Sequence, residues 1–212
     1  MTPKPSATWS RGAGCCACSR STSPSGGFPR VVLAESVDER RALLRAHYEA
    51  IFYRDLVDRC KLDPELLNLV LSALVSSAAG QFSVSKLYNV VKSLGFKCSK
   101  ATLTKYVECA RQAYLLLLSE IHSPSIRSRK RYPRKVYVVE NGIITAVYPE
   151  ARESLGRLME NAAAVELARR GYALRYWREY GKREGGEVDF VILEGLGRSC
   201  SSKSRTQRGS RT

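Results

Sequence analysis

The sequence lacks several features that would place it quickly in a class of protein. No apolar run approaches the roughly eighteen residues that a membrane helix needs, since the densest covers only Ala113 to Leu118. No apolar segment typical of a secretory signal peptide follows Met1. There is also no Gly-x-x-x-x-Gly-Lys-Ser/Thr segment, so we expect no ATP hydrolysis by this chain. These absences favour a cytoplasmic protein without a membrane partner.

A complete set of cysteine ligands for a zinc site is missing as well. Cys15 and Cys18 have the spacing of a Cys-x-x-Cys pair, with Cys16 between them, but no second pair of ligands follows. The total of seven cysteines is odd, and nothing indicates a secreted protein with a disulfide framework. We therefore expect reduced thiols rather than a soft-metal site.

Acidic residues are absent from both ends of the chain, which shapes its net charge of +15. Residues 1–34 carry four basic side chains and residues 195–212 carry five, so the two ends supply nine of the fifteen positive charges. Residues 1–26 are rich in Ser, Gly, Pro and Arg without periodicity, which predicts disorder. Two interpretations of the tails stay open: solvation without a ligand, and non-specific attraction to nucleic acid.

Capping residues predict where the first helices begin. Ser36 with Glu39 three residues later forms a capping box, and an apolar stripe continues the helix to about Arg59. Asp63 followed by Pro64 predicts the start of a second helix, because proline at the first helical position loses no hydrogen bond. Residues 27–62 thus form a helical region that leads into the next domain.

Residues 63–142 have the pattern of a winged helix-turn-helix. Two short helices flank the turn at Gly95, and Ser99 caps the second of them. Two strands, ending near Ile121 and beginning at Arg134, would form the wing, with Asn141-Gly142 as a further turn. The candidate DNA-binding residues lie on the second helix and in the basic loop between the strands: Lys100, Thr104, Lys105, Arg127, Arg129, Lys130 and Arg131. The alternative is a winged helix that serves as a spacer or docks on a protein.

Two acidic residues mark a candidate metal site further along. Glu160 lies on a predicted helix, and Asp189 shares one face of a predicted strand with Glu187. Carboxylates that converge from a helix and a strand are suitable ligands for Mg²⁺, which could activate a water and stabilise phosphoryl charge. The alternative is that both acids are surface groups.

Several segments together resemble a known family. They include Gly27-Phe28-Pro29, Phe52 to Val57, Ser99 to Val107, Pro133 to Tyr137, Gly156 to Asn161 and Arg183 to Phe190. In this order they are similar to the C-terminal half of archaeal-type AAA+ ATPases, the region named domain of unknown function 4143. The resemblance implies a winged helix followed by a domain related to PD-(D/E)XK nucleases, with Glu160 and Asp189 as its acids. It also implies that ATP belongs to an upstream domain.

The chain departs from that family where the nuclease motif should end. A Glu-x-Lys on a following strand is expected, but residues 196–212 contain no Glu, and Lys203 lies in a segment without strand character. We therefore expect a catalytic pair that is incomplete, in a chain truncated at both ends.

These observations predict an α+β protein with disordered basic tails. Its segments are a disordered tail (1–26), a helical linker (27–62), a winged helix-turn-helix (63–142), a partial PD-(D/E)XK-like module (143–195) and a second tail (196–212). The leading hypothesis is an ATPase fragment that docks on DNA or protein, with no cofactor of its own. The alternatives are a Mg²⁺-dependent nuclease using Glu160 and Asp189, and a free-standing DNA-binding regulator. The sequence does not indicate the oligomeric state.

Overall fold

The computed structural model describes residues 27–147, 154–180, 186–194 and 198–202. Of residues 193, 194 and 198–202, only the backbone is described. This part of the chain combines eight α-helices, one π-helix and two β-sheets, so the predicted α+β class is confirmed. Residues 1–26, with the predicted tail and its three cysteines, lie outside the described residues.

Two of the three N-terminal α-helices begin where the capping residues predict. Helix α1 (Pro29–Leu33) is followed by α2 (Val37–Ala50), whose cap Ser36 accepts a hydrogen bond from the Glu39 backbone N–H. The π-helix (Ile51–Arg59) continues α2 directly, so the predicted helix changes to a wider turn halfway. In α3 (Pro64–Ser76), the Asp63 carboxylate accepts from the Leu66 N–H at 2.8 Å.

A helix pair, three strands and a short connecting helix follow α3. They are β1 (Gln81–Phe82), α4 (Val84–Ser93), α5 (Lys100–Gln112), β2 (Leu116–Ile121), α6 (Ile126–Arg131) and β3 (Arg134–Val138). Ser83 and Ser99 cap α4 and α5, each accepting a hydrogen bond from the backbone N–H three residues later. Strand β3 runs antiparallel to both of its neighbours, which gives the local strand order β1-β3-β2.

The remaining elements extend and close the sheet. They are α7 (Asn141–Val147), α8 (Leu155–Arg169), β4 (Arg175–Arg178), β5 (Glu187–Val188), β6 (Phe190–Glu194) and β7 (Arg198–Ser202). Strand β4 pairs parallel to β2 and antiparallel to β5, so the curled five-stranded sheet has the order β1-β3-β2-β4-β5. Strands β6 and β7 form a separate antiparallel pair.

Three local predictions differ from the structure. Asn141 and Gly142 begin α7 instead of forming a hairpin turn, because the Asn141 side chain bonds to the Leu158 carbonyl and so ties this end to α8. The basic loop between β2 and β3 contains the short helix α6, which Ser125 caps. The backbone of Arg198–Ser202 pairs with β6 where we expected a disordered tail; the rest of that tail lies outside the described residues.

A single large apolar cluster packs α2, α3, α4 and α5 against β2 and β3. Many of its members are fully buried aliphatic side chains, among them Leu44, Leu67, Leu71, Val91, Leu103 and Val136, and α1 and the π-helix contribute Val31 and Leu56. No helix in the described ranges is long and apolar enough to span a bilayer. The cytoplasmic location and the five-segment division stay predictions.

Candidate functional site

A buried lysine collects the acids that the sequence singles out. The Lys135 side chain on β3 is almost fully buried, and its Nζ lies 3.1 Å from Glu160 Oε1 and 2.6 Å from Asp189 Oδ1. Glu187 Oε1 approaches the same nitrogen at 3.0 Å. The three carboxylates keep 20 to 33% of their side-chain surface exposed, so the cluster is open to solvent on one side. We call these four residues the acidic cluster.

The curl of the sheet makes this convergence possible. Lys135 is on β3 and Glu187 on β5, with β2 and β4 between them in the strand order. In a flat sheet, three strand spacings would separate β3 from β5 by about 14 Å. The 3.0 Å ion pair between Lys135 and Glu187 shows that the sheet curls and brings β5 close to β3.

Buried polar side chains of helix α8 form hydrogen bonds with β3. Asn161, which is completely buried, accepts a hydrogen bond from the Val138 N–H at 2.8 Å and donates to the Val138 carbonyl at 2.6 Å. It also donates to Asn141 Oδ1. At the neighbouring position of α8, Glu160 Oε1 accepts a hydrogen bond from the Tyr137 hydroxyl at 3.0 Å. These bonds fix the position of the Glu160 carboxylate relative to Lys135.

Burial and charge oppose each other in the cluster. Burial alone lowers the pKa of Lys135, but its hydrogen bond to Asp189 and the charge of Glu160 outweigh burial, so the pKa is raised and the amine stays protonated. Burial raises the pKa of Glu160, with the nearby Lys135 charge acting in the other direction. Three carboxylates share the Lys135 ammonium group, and the Arg178 guanidinium lies 3.4 Å from Glu187 Oε2, so three acids face two cations.

The acidic cluster meets one requirement of a metal site and fails another. Its carboxylate oxygens are the ligands that Mg²⁺ prefers. However, Lys135 Nζ stands at the point on which the oxygens converge, and within the described part of the chain no group of three or more His, Cys, Asp or Glu side chains is placed to hold a metal ion. As it stands, the lysine acts as the counter-ion.

The role of Lys135 is not evident from the sequence alone. Lys135 ends a basic run that begins at Arg127, which favours a solvated side chain. The alternation of side chains along β3 could have predicted that Lys135 is buried, because it puts Lys135 on the same face of the strand as Tyr137. In the structure both side chains contact Glu160. Lys203, to which the sequence assigns no role, lies outside the described residues.

A second candidate site is basic and lies on α5 and α6. In α5, Lys100, Thr104 and Lys105 are exposed, and the Thr104 hydroxyl donates to the Lys100 carbonyl at 2.9 Å. In α6, Arg127, Lys130 and Arg131 are exposed, whereas Arg129 is half-buried. Lys130 Nζ lies 3.8 Å from Glu120 Oε1. Both helices pack against β2, and we call these seven basic or polar residues of α5 and α6 the basic surface.

Comparison with known proteins assigns a family. Residues 24–154 match the family described as Domain of unknown function (DUF8612), which is more than half of the chain. The chain belongs to the DUF8612 family. Within the described residues, the match covers every element from α1 to α7 and therefore includes the basic surface and Lys135. The acids Glu160, Glu187 and Asp189 lie beyond the matched residues.

Two curated relatives add no activity to this assignment. "Uncharacterized protein MJ1544" of Methanocaldococcus jannaschii is 29% identical over 169 residues, which cover 79% of this chain and 37% of the relative. An "Uncharacterized protein" of Haemophilus influenzae is 25% identical over 167 residues, covering 78% of this chain and 40% of the relative. The chain thus spans about two fifths of the length of these relatives. No solved structure matches it.

The family prediction from the sequence is therefore wrong. The match is to DUF8612 rather than to domain of unknown function 4143, and neither relative's name indicates an AAA+ ATPase. The segments that resemble that family are short, and two of their residues, Lys135 and Tyr137, have structural contacts with Glu160 of α8.

Proposed function

We propose that this protein binds DNA through a winged helix that presents the basic surface. The observation that carries the proposal is the exposure of the N-terminal half of α5, where Lys100, Thr104 and Lys105 all face solvent. The order α3, β1, α4, α5, β2, α6, β3, with strands arranged β1-β3-β2, supports a helix-turn-helix followed by a wing whose connection contains α6. A polar and basic second helix suits the major groove of DNA.

The uncompensated charge of the basic surface supports DNA rather than a protein as the partner. Within the described residues, Lys100, Lys105, Arg127 and Arg131 form no ion pair with a carboxylate. Cations without counter-ions on α5 and α6, two helices that both pack against β2, are suited to contact phosphates, and such contacts release condensed counter-ions. The net charge of +15 also agrees with a nucleic-acid partner.

Salt dependence of binding tests the proposal. Fluorescence anisotropy of a labelled duplex would be measured between about 50 and about 200 mM salt. We expect the triple variant Arg127→Gln, Lys130→Gln, Arg131→Gln to bind the duplex more weakly than the wild type. The slope of the logarithm of the binding constant against the logarithm of the salt concentration should become less steep by about 0.9 for each phosphate that the variant no longer neutralises.

The matched control for this experiment neutralises three exposed arginines elsewhere, Arg30, Arg59 and Arg157. It changes the net charge by the same amount, so it separates a specific surface from general electrostatic attraction. Equal losses of affinity in both variants, or no binding by the wild-type protein, would refute the proposal.

A second candidate function is a Mg²⁺-dependent nuclease. One observation favours it: Glu160 and Asp189, which the sequence singles out, reach the same ammonium group from different elements. Glu160, Glu187 and Asp189 would hold Mg²⁺, which would supply Lewis-acid chemistry at a phosphate. The position of Lys135 makes this candidate the weaker one, because its Nζ stands where a cation would be held.

Plasmid cleavage separates the two candidates. Supercoiled DNA would be incubated with the protein and Mg²⁺, with EDTA as the metal-free control. A nuclease requires cleavage that Asp189→Asn abolishes and that Asp58→Asn, a substitution of an exposed acid outside the cluster, leaves intact. Absence of cleavage by the wild-type protein would remove the nuclease candidate and leave DNA binding to stand on its own test.

A further inference from the structure

A cavity of about 430 Å³ lies at the turn between α4 and α5, beside the exposed half of α5. The cavity is shallow and opens widely to solvent. The lining combines two aromatic rings, two lysines and two small polar side chains: Tyr88, Phe96, Lys92, Lys97, Cys98 and Ser99. None of these belongs to the basic surface defined above, although Lys100 adjoins the cavity through its contact with the Tyr88 ring.

Backbone hydrogen bonds and apolar packing shape the turn that borders this cavity. Gly95 has a φ of +88°, a conformation that glycine adopts without strain, and its N–H donates to the Lys92 carbonyl at 3.1 Å. The Phe96 N–H donates to the Val91 carbonyl at 3.3 Å. The rings of Tyr88 and Phe96 are half-buried because both pack against the main apolar cluster. The aromatic walls are therefore positioned before any ligand arrives.

The charge around the cavity is entirely positive in the described part of the chain. Lys92 and Lys97 are exposed, and Lys100 Nζ lies 5.7 Å from the centre of the Tyr88 ring. No carboxylate forms an ion pair with any of these three lysines in the described ranges. The ligand that suits these surroundings carries a flat ring and an anionic group.

An unpaired nucleobase with its phosphate meets both requirements. Proteins that bind single-stranded nucleic acid combine a basic groove with aromatic rings on which bases stack. A base inside a regular duplex cannot reach such a ring, because it is stacked between its neighbours. The cavity would therefore distinguish DNA that offers an unpaired base from DNA that is fully paired.

We propose that the cavity lined by Tyr88, Phe96, Lys92 and Lys97 binds an unpaired DNA base and its phosphate. This inference rests on the proposed DNA-binding function and specifies its substrate. The protein then prefers duplexes that carry a bulge or a single-stranded extension, with the duplex held on the basic surface and the extruded base held in the cavity.

Three duplexes of one sequence test the preference. The first is fully paired, the second carries one extra unpaired adenine, and the third carries an abasic residue at the position of that adenine. We expect the wild-type protein to bind the adenine bulge about tenfold more tightly than the paired duplex, which corresponds to one base–aromatic stacking contact. The abasic bulge should bind like the paired duplex, because it bends as readily as the adenine bulge but has no ring to stack.

Variants assign the preference to the cavity. Phe96→Leu and, separately, Tyr88→Leu should bring the ratio of the two affinities close to one, with thermal melting used to verify folding. The control Tyr53→Leu removes a tyrosine that is 58% exposed on the π-helix and should keep the full ratio. Equal affinity for paired and bulged DNA, or equal preference for the abasic bulge, would overturn the inference while leaving DNA binding intact. Failure to bind paired duplex would instead count against the proposed function.

Discussion

Replacing Lys135 with methionine tests whether the acidic cluster is held together by its lysine. The substitution keeps an unbranched side chain of similar length but removes the ammonium group that Glu160, Glu187 and Asp189 approach within 3.1 Å. Removing one partner of a buried ion pair costs about 3–5 kcal/mol. Because the three carboxylates are partly exposed and can be solvated, we expect the lower end of this range, about 3 kcal/mol.

The assay is urea unfolding followed by circular dichroism, together with thermal melting. A loss of about 3 kcal/mol lowers the melting temperature of a protein of this size by about 6–12 °C. Lys86→Met, which removes an exposed lysine of α4, is the control and should change stability by less than about 0.5 kcal/mol. Combining Lys135→Met with Asp189→Asn should recover part of the loss, because it removes one of the repelling charges.

A Lys135→Met protein as stable as the control would refute this reasoning. It would mean that the carboxylates are solvated well enough to need no counter-ion, and that the ion pairs contribute little to the fold. The lysine would then be dispensable at the point where the oxygens converge. Such a result would therefore strengthen the nuclease candidate at the expense of a structural role.

Two further predictions concern the side chains of α8. Asn161→Ala should destabilise the protein by about 2–4 kcal/mol in urea unfolding, because it leaves the buried N–H and carbonyl of Val138 without partners; a loss below about 0.5 kcal/mol would contradict the assigned bonds. Arg169 and Arg170 lower the pKa of Glu166 to about 2 by hydrogen bonding. A carboxyl group whose pKa is lower in the folded than in the unfolded protein stabilises the fold at pH values above its unfolded pKa. This stabilisation is lost as the pH falls from 4.5 towards 2, so the difference in the free energy of unfolding between wild type and Glu166→Gln should shrink over that range. A difference that stays constant with pH would show that the bonds do not persist in solution.

Local chemistry explains why the helix starts could be predicted from the sequence. At Ser36, Asp63 and Ser99, a side-chain oxygen accepts a hydrogen bond from a backbone N–H within the same turn, so no distant residue decides the outcome. The antiparallel pairing of β2 with β3 was equally accessible, because both strands are apolar and are joined by a polar connection.

Long-range packing explains what the sequence could not reveal. Asn141-Gly142 is typical of a hairpin turn, yet here the Asn141 side chain bonds to α8 and a helix begins instead. The position of Lys135 likewise depends on the curl that brings β5 to β3. The convergence of Glu160 and Asp189 could be predicted from residue types and alternation, but the ammonium group that stands between them could not.

Hydrogen–deuterium exchange with and without duplex DNA reports which elements the DNA covers, and so tests directly whether the protein binds DNA through the basic surface. We predict that DNA slows amide exchange in the first half of α5, around Lys100 to Lys105, and in α6, and that it leaves α8 unchanged. Protection confined to α8 and β5, where the acidic cluster lies, with none in α5 or α6, would contradict DNA binding through the basic surface.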